Sequence, residues 1–387
     1  MEQYAVERVD TLLKRAIELK ASDVHLEPMS VYAQVRVRVD GILSVHTKIE
    51  YPLFEMVVAR LKVLAGMNVA QKRLAQDGKY IYQNSTKTID IRVSTFPTIF
   101  GEKVVLRILN TAVEMIDFEQ LGMTQALAAD VAQFLQRPTG FFIVTGPTGS
   151  GKTTTLYAFL KKLNNQAINI VTLEDPVEYT LQGVTQTQIH AEIGLTFDTG
   201  IRSLLRQDPD VIFIGEVRDK QTAKTSIEAA LTGHLVFTTM HTVDSASAVV
   251  RLYDMGIEPF LIEGALSGVI AQRLVRALCQ QCKKIGALDT SEQALLSKMN
   301  YQGPAPFIPA GCAVCGMSGY MGRIGIFEYL PITINLRHLL SSKPSYETLL
   351  AYVKEQSIAC LKDSAFSLVA QGRTSVREII RTVTVDV

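Results

Sequence analysis

The stretch from residue 146 to residue 153 constrains the fold more than any other part of the chain. Its residues are Gly146, Pro147, Thr148, Gly149, Ser150, Gly151, Lys152 and Thr153, which fit the G-x-x-x-x-G-K-[ST] phosphate loop at every fixed position. The apolar run from Phe141 to Thr145 predicts a strand before the loop, and Thr154 to Leu163 predict a helix after it. A chance glycine turn is the alternative, and the strand–loop–helix context argues against it. The sequence therefore predicts a nucleotide site.

The chemistry expected of this loop follows from its residue types. Glycines let the backbone turn consecutive N–H groups toward phosphate oxygens, and the helix that follows adds its positive N-terminal end. Lys152 would reach the β- and γ-phosphates of ATP, and the hydroxyl of Thr153 would ligate Mg²⁺. Thr154, the next residue, completes the predicted nucleotide-binding set.

The length and charge of the chain bound its class. Its 387 residues allow roughly two to three domains of about 150 residues each. Hydrophobic residues make up 47%, enough for packed cores, and 39 Lys plus Arg face 38 Asp plus Glu. The net charge of +1 gives no support to a nucleic-acid-binding surface or a polybasic membrane anchor. With no secretory signal and no apolar stretch long enough to span a bilayer, we predict a cytoplasmic protein that reaches membranes only through partners.

The first 110 residues predict a small α+β domain. Residues 3–20 carry apolar side chains at helical spacing, and residues 32–39 alternate apolar and charged, as a half-buried strand does. A second helix is predicted at 53–64, with strands at 80–83, 89–94 and 104–109. Arg92 and Arg107 fall on two of these strands. Ordinary solvent-exposed strand positions account for these two arginines at least as well as a functional role does.

Beyond the phosphate loop, predicted strands and helices alternate, which is typical of a parallel, doubly wound α/β sheet. One predicted strand ends in the acidic segment Glu174 to Glu178, a second ends in Glu216 and a third ends at His241. Because ligands of open α/β sheets lie beyond the carboxyl ends of the strands, we expect these side chains to converge on the loop. One acid would orient or deprotonate the attacking water, and another would hold the hydration shell of the metal. Any single acid could instead cap a helix.

Four of the five cysteines form two C-x-x-C pairs, Cys279/Cys282 and Cys312/Cys315. In the cytosol this spacing favours a metal over disulfides. Four thiolates suit a tetrahedral zinc site with no open position, so the predicted zinc is structural. Unrelated buried thiols are the alternative. Cys360, in an apolar context, is expected to be a plain core residue.

Several segments together resemble the ATPases of the type II secretion and type IV pilus assembly family. They are GPTGSGKTTTLYA, TLEDPVEY, LLRQDPDVIFIGEVRD and TGHLVFTTMHTVDSASAVVRL, with SDVHLEP, AQDGKY, DIRVST, GEKVVLRIL and GYMGRIGIFE around them. The resemblance covers nearly the whole chain. It implies a homo-hexameric cytoplasmic motor that hydrolyses ATP for an inner-membrane pilus or pseudopilus machine. The platform and recruitment proteins of that machine would be its partners, with no direct contact to nucleic acid.

The resemblance also implies a domain order. A PAS-like N-terminal domain (1–110) and a linker (111–122) would precede a RecA-like ATPase domain (123–278). A Cys₄ zinc-binding subdomain (279–320) and a mainly helical C-terminal region (321–387) would follow. Retraction ATPases of pilus systems lack the two cysteine pairs, so the pairs favour the assembly or secretion branch.

Carried over by position, the resemblance implies roles for individual residues. Residues 146–153 would be the Walker A loop. Glu178, in a segment similar to the family's aspartate box, would be the general base, and Glu216 would be the Walker B acid. His234 and His241, in a segment similar to the histidine box, would sense or position the γ-phosphate.

Four arginines complete the implied site. Arg92 and Arg107 fall where the family places N-domain arginines that reach the nucleotide. Arg202 and Arg206, four residues apart and so on one helix face, would act near the site or at a subunit boundary. An arginine supplied across a boundary is worth roughly 10³ to 10⁵ in rate in other phosphate-loop enzymes, so a monomer would be a poor catalyst.

The chain departs from the family pattern at three places. Val243 stands where relatives commonly have Asn, and the strand before Glu216 ends in one acid rather than two. Met1 begins just before the family's second domain, so either a short member or a truncated chain is expected. Within the class, competence pilus assembly for DNA uptake is the alternative. Outside it, a nucleic-acid translocase would require a basic face, and a nucleotide-binding scaffold would bind ATP without turnover.

Overall fold

The computed structural model describes residues 2–83, 88–109 and 117–383, and the chain divides into two compact units, Met1–Glu114 and Met115–Val387. The predicted linker at 111–122 lies partly outside the described residues. No helix within these ranges is both long and apolar enough to cross a bilayer.

The first unit is an antiparallel sheet with helices packed on one face. Its elements are α1 (Glu2–Glu18), β1 (Asp23–Pro28), β2 (Tyr32–Val39), β3 (Ile42–Glu50), α2 (Tyr51–Leu64), β4 (Gln76–Gln83), β5 (Thr88–Thr98) and β6 (Gly101–Leu109). The strand order is β3-β2-β1-β6-β5-β4. Alternate strand residues such as Val24 and Leu26 share one core with the apolar faces of α1 and α2. The intervening positions carry charged side chains, including Arg92 and Arg107, on the opposite face.

The second unit contains the remaining helices and strands. They are α3 (Phe118–Leu121), α4 (Gln125–Phe134), β7 (Gly140–Thr145), α5 (Lys152–Leu163), β8 (Ile170–Glu174), β9 (Thr185–Gln188), α6 (Phe197–Leu204), β10 (Val211–Ile214), α7 (Lys220–Leu231), β11 (Leu235–Met240), α8 (Ser245–Asp254), α9 (Pro259–Ala265), β12 (Leu266–Leu278), β13 (Lys284–Ile285), α10 (Thr290–Lys298), β14 (Phe307–Ile308), β15 (Tyr320–Pro331), α11 (Ile334–Ser341), α12 (Tyr346–Glu355), α13 (Leu361–Ala370) and α14 (Val376–Thr382).

A seven-stranded sheet of order β15-β12-β7-β11-β10-β8-β9 organises the second unit. The pairs from β12 to β9 are parallel, as the alternating pattern predicts. All six residues of β7 are buried. Phe141 packs into the core on one face of the sheet and Phe142 into the core on the other, so both faces are covered. The phosphate loop therefore begins at the end of a central strand.

One edge of this sheet is antiparallel, whereas the sequence pattern predicts a fully parallel sheet. β15 pairs antiparallel with β12 along nearly its whole length. The thirteen-residue, largely buried β12 would otherwise present an open apolar edge, which natural sheets avoid. The C-terminal region thus contributes a sheet strand as well as helices. β13 and β14 form a separate two-stranded ribbon.

Candidate nucleotide site

The phosphate loop follows β7 and leads directly into α5. Gly146, Gly149 and Gly151 have φ angles of 150°, 77° and 87°, a region that side chains disfavour. At Gly146 a Cβ would also lie only 2.3 Å from the carbonyl oxygen of Gln272. Gly151 is the N-cap of α5. The unpaired N–H groups of the first helical turn therefore point toward the loop, where an anion is favoured.

Lys152 folds back over the loop. Its Nζ donates to the carbonyl oxygens of Gly146 and Pro147 at 2.8 and 3.1 Å, and the residue is 8% exposed. Burial lowers the pKa of Lys152 to about 8, against the attraction of the Glu216 charge. A triphosphate in the loop would offer this ammonium group charged acceptors in place of neutral carbonyls.

Gln272 on β12 packs against the loop, and it lies outside the motifs that predict the site. Its Oε1 accepts a hydrogen bond from Thr155 Oγ1 in α5 at 2.8 Å, and a Cβ on Gly151 would lie 2.9 Å from its Nε2. Gln272 is 1% exposed. One feature of the sequence could have indicated Gln272: it is a glutamine within a mostly apolar strand. The side-chain amide of a buried glutamine needs hydrogen-bond partners. Gln272 therefore fixes the base of the loop from a neighbouring strand.

Glu216 and His241 meet beside the loop, beyond the ends of β10 and β11. His241 Nε2 lies 3.5 Å from Glu216 Oε2, and Arg218 pairs with Glu216 Oε1. Burial and then the charge of Lys152 lower the pKa of His241, so its imidazole is neutral near pH 7. Glu216 acts electrostatically on both Lys152 and His241. The structure thus brings these three predicted residues together at one edge of the sheet.

The acids of the predicted aspartate box are placed differently from each other. Glu174 ends β8 and is 2% exposed. It accepts hydrogen bonds from Thr172 Oγ1 at 2.6 Å, from Gln186 Nε2 at 3.1 Å and from the Tyr157 hydroxyl, and burial raises its pKa. Glu178 is exposed. Over the part of the chain that the structure describes, no hydrogen bond or ion pair joins its side chain to the loop.

The structure does not bring His234 to the loop of its own chain. Its carbonyl oxygen accepts a hydrogen bond from the N–H of Gly140, at the start of β7. Its ring Nδ1 lies 2.8 Å from the carbonyl oxygen of Ala229. The six residues of β11 separate His234 from His241, a span of roughly 20 Å. His234 therefore lies at the amino edge of the sheet.

Arg202 and Arg206 also lie away from this loop. Arg202 on α6 pairs with Asp198 at 3.1 Å, and its side chain is 58% exposed. Arg206 follows α6 and donates to the carbonyl oxygen of Arg202 at 2.8 Å. The next residue, Gln207, accepts a hydrogen bond from Asn169, just before β8. Arg206 thus belongs to the amino edge of the sheet.

Arg92 and Arg107 face each other within the first unit. They are register partners on β5 and β6, and both line a cavity of about 470 Å³ together with Lys79 and Asp77. Arg107 Nε lies 3.1 Å from Asp23 Oδ1, yet its side chain stays 64% exposed. This face of the first unit therefore concentrates positive charge that suits an anion.

The four paired cysteines converge where β12 ends and β15 begins, because the pairing of these strands sets Leu278 opposite Tyr320. Their sulfur atoms all lie within 4.8 Å of one another, with separations of 3.7, 3.8 and 3.9 Å for three of the pairs. Sulfurs about 2.3 Å from a tetrahedral zinc would be about 3.8 Å apart. The set, Cys279, Cys282, Cys312 and Cys315, therefore fits zinc.

Backbone N–H groups beside the cluster favour the thiolate form of Cys315. The N–H groups of Cys312 and Gly319 each lie 3.2 Å from Cys315 Sγ. Against the effect of burial, these hydrogen bonds hold the pKa of Cys315 down to about 6, which favours the thiolate that metals bind. Cys360, half-buried at the start of α13, lies outside the cluster.

The parallel sheet with a phosphate loop at the end of its central strand defines the class of phosphate-loop proteins. Residues 2–381 match the model of the type II/IV secretion system protein family, and the chain belongs to that family. The resemblance read from the motifs is thereby confirmed, as is the α/β class of the fold.

Two relatives illustrate the family. The type IV pilus assembly ATPase TfpB of Acinetobacter baylyi is 43% identical over 388 residues, covering 99% of this chain and 66% of that protein. Type II secretion system protein E of Pseudomonas aeruginosa is 42% identical over 373 residues, covering 96% and 74%. The chain thus spans about two thirds to three quarters of the length of these relatives.

Solved structures share the fold at lower sequence identity. The ATPase DotB of Legionella pneumophila matches with a TM-score of 0.72 at 21% identity, over 96% of this chain and 94% of that one. The pilus retraction motor PilT, solved with bound ADP, matches with a TM-score of 0.63 at 24% identity, over 96% and 95%.

Proposed function

We propose that this chain is the ATP-hydrolysing motor subunit of a type II secretion or type IV pilus assembly machine. The observation that carries the proposal is the arrangement of Lys152 within the phosphate loop, with Glu216 and His241 beside it. The relatives named as secretion and pilus assembly ATPases support both the reaction and the machine. Competence pilus assembly is the alternative within the same class.

ATP would lie with its phosphates against the N–H groups of residues 146–153, and Lys152 would leave the loop carbonyls for the β- and γ-phosphates. Thr153, in the first turn of α5, would hold Mg²⁺ through its hydroxyl. Bound Mg²⁺ supplies positive charge that offsets the negative charge of the phosphates. His241, neutral near pH 7, can donate a hydrogen bond toward the γ-phosphate.

Glu178 and Glu216 would have different roles toward the attacking water. Glu178 is exposed and is proposed as the general base that accepts the proton of the water. Glu216, held between Arg218 and His241, is proposed to orient that water or the hydration shell of the metal. A bond forms from the water oxygen to the γ-phosphorus as the bond to the bridging oxygen breaks, which releases ADP and phosphate.

The larger assembly is proposed from the family. We infer a homo-hexamer with a PAS-like domain (1–110), a linker (111–122), a RecA-like domain (123–278), a structural zinc subdomain (279–320) and a C-terminal region (321–387). It would work on the cytoplasmic side of the inner membrane, held there by platform and recruitment proteins. The cationic face with Arg92 and Arg107 is proposed to bind an anion.

Replacing Lys152 tests the proposal. Lys152→Ala should lower phosphate release by about 100-fold or more, because it removes the charge on the transferred group. The far-UV circular dichroism should stay unchanged. Lys161→Ala, on the exposed side of the same helix, is the matched control and should keep full turnover. Normal turnover in Lys152→Ala would reject the motor function.

A further inference from the structure

The hydroxyl group of Thr145 lies between the phosphate loop and His241, and the mechanism described so far does not use it. Thr145 is the last residue of β7, directly before Gly146, and is fully buried. Its Oγ1 donates to the carbonyl oxygen of Met240 at 3.1 Å and accepts a hydrogen bond from the N–H of Thr242 at 2.9 Å. The hydroxyl oxygens of Thr145 and Thr242 are also 2.7 Å apart. One hydroxyl group therefore contacts the residues on both sides of His241.

We propose that Thr145 is a positioning residue that fixes His241 relative to the phosphate loop, an inference that rests on the proposed ATPase function. The N–H of Gly146 donates to the same carbonyl oxygen of Met240 at 3.3 Å. The first residue of the loop and the residue before His241 are thus joined through one acceptor. Because the backbone on either side of His241 cannot leave the loop without breaking these hydrogen bonds, the imidazole is held at one distance from a bound γ-phosphate.

Other hydrogen bonds hold the segment that leads into α8 independently of Thr145. The carbonyl oxygen of Val243 accepts a hydrogen bond from Arg273 Nη2 at 3.1 Å. Asp244, the N-cap of α8, accepts one from the hydroxyl group of Tyr346 at 2.6 Å. Loss of the Thr145 hydroxyl group should therefore free the backbone beside the loop while α8 stays in place.

The alternative role for the Thr145 hydroxyl group is only to join two strands, and Thr238 provides the comparison. Thr238 is also fully buried, lies on β11 and donates to the carbonyl oxygen of Ile214 on β10 at 2.9 Å. A valine at either position removes one buried hydroxyl group at nearly the same volume, so both variants should lose similar amounts of stability. Only the change at Thr145 should alter the position of His241.

Steady-state kinetics separate positioning from a structural role. Thr145→Val should lower kcat about 10-fold, the effect of losing one hydrogen bond, and leave the KM for ATP within about two-fold. Thr145→Ser keeps the hydroxyl group and should recover most of kcat. Thr238→Val is the matched control and should keep the kcat of the unmodified protein. A raised KM with unchanged kcat, unchanged kinetics, an equal loss in Thr238→Val, or a serine variant no better than the valine variant would each overturn the proposal.

A titration of His241 in the nucleotide-free protein tests the same contact without turnover. Burial and then the charge of Lys152 lower the pKa of His241. Thr145→Val should raise that pKa toward the ordinary value of a histidine, because the freed ring spends more time in solvent. The measurement is NMR of labelled histidine rings, and His241→Gln identifies the signal among the six histidines.

The two measurements distinguish failure of this inference from failure of the proposed function. If the unmodified protein does not hydrolyse ATP, the proposed function fails, and the titration still decides whether Thr145 holds His241. If the titration of His241 is the same in Thr145→Val as in the unmodified protein, the role of Thr145 is overturned even where hydrolysis is normal.

Discussion

Nucleotide affinity should fall as the pH rises through about 8, because Lys152 must carry a proton to hold phosphate. Burial lowers the pKa of Lys152 to about 8 in the nucleotide-free chain. A bound triphosphate places negative charge beside Nζ and raises that pKa again. Above pH 8 the bound state therefore holds more protons than the free state. By linkage, binding weakens as the pH rises.

The size of the effect follows from the fraction of Lys152 that is protonated. If only the protonated form binds, the apparent Kd is multiplied by one plus ten raised to the power of the pH minus the pKa. For a pKa of about 8 this factor is about 1.3 at pH 7.5 and about 33 at pH 9.5, so affinity should fall about 25-fold. Phosphate groups are fully ionised and His241 is neutral across this range, so neither hides the change.

The assay is a titration of nucleotide-free protein with a fluorescent, non-hydrolysable ATP analogue at several pH values and constant ionic strength. Calorimetry in two buffers of different ionisation enthalpy counts the protons taken up on binding, and we expect close to one at pH 9.5. Lys152→Met should bind weakly at every pH without this dependence. A flat affinity from pH 7.5 to 9.5, or no proton uptake at pH 9.5, would refute the reasoning that a desolvated Lys152 titrates in this range.

Three further predictions concern the loop, the buried acid and the cysteines. Gly146→Ala should weaken binding of the same ATP analogue far more than Gly149→Ala. A Cβ at Gly146 would lie 2.3 Å from a backbone oxygen, whereas a Cβ at Gly149 would meet nothing within 4 Å. Equal affinities of the two variants would contradict this prediction. Glu174→Ala should lower the free energy of unfolding in urea by about 2 to 3 kcal/mol, because three donors lose their acceptor, and Glu174→Gln should lower it less. Elemental analysis should find about one zinc per chain. Cys315→Ser should lose the zinc and melt at a lower temperature, whereas Cys360→Ser should keep the zinc and the normal melting temperature. A metal-free protein with normal melting would exclude the zinc site.

Local signals predicted much of the fold. The strand predicted to lead into Glu216 is β10, and the strand predicted at 32–39 coincides with β2, since each is bounded by turn residues and has an apolar pattern. The edge position of β15 was not predictable in this way, because it depends on pairing with β12 more than forty residues earlier in the chain. Periodicity identifies a strand but does not reveal its neighbour.

The same distinction applies to the candidate site. The loop could be placed from its own residues, and the strand ends followed from the rule for parallel sheets. Gln272 could not be placed at the site from the sequence, because its contact with Thr155 depends on the register of β12 beside β7. The pairing of Arg218 with Glu216 also depends on side-chain direction, which sequence spacing does not give.

Five of the predicted site residues divide between the two edges of the seven-stranded sheet. Lys152, Glu216 and His241 share the carboxyl edge, whereas His234 and Arg206 lie at the amino edge, roughly 20 Å away along β11. No side chain spans that distance, so the amino-edge residues cannot touch a phosphate held by their own loop. If they take part in hydrolysis, they must do so at the loop of a second copy. A single chain would then lack part of the machinery, and we would expect one subunit to bind ATP by itself but to turn it over rapidly only beside a neighbour.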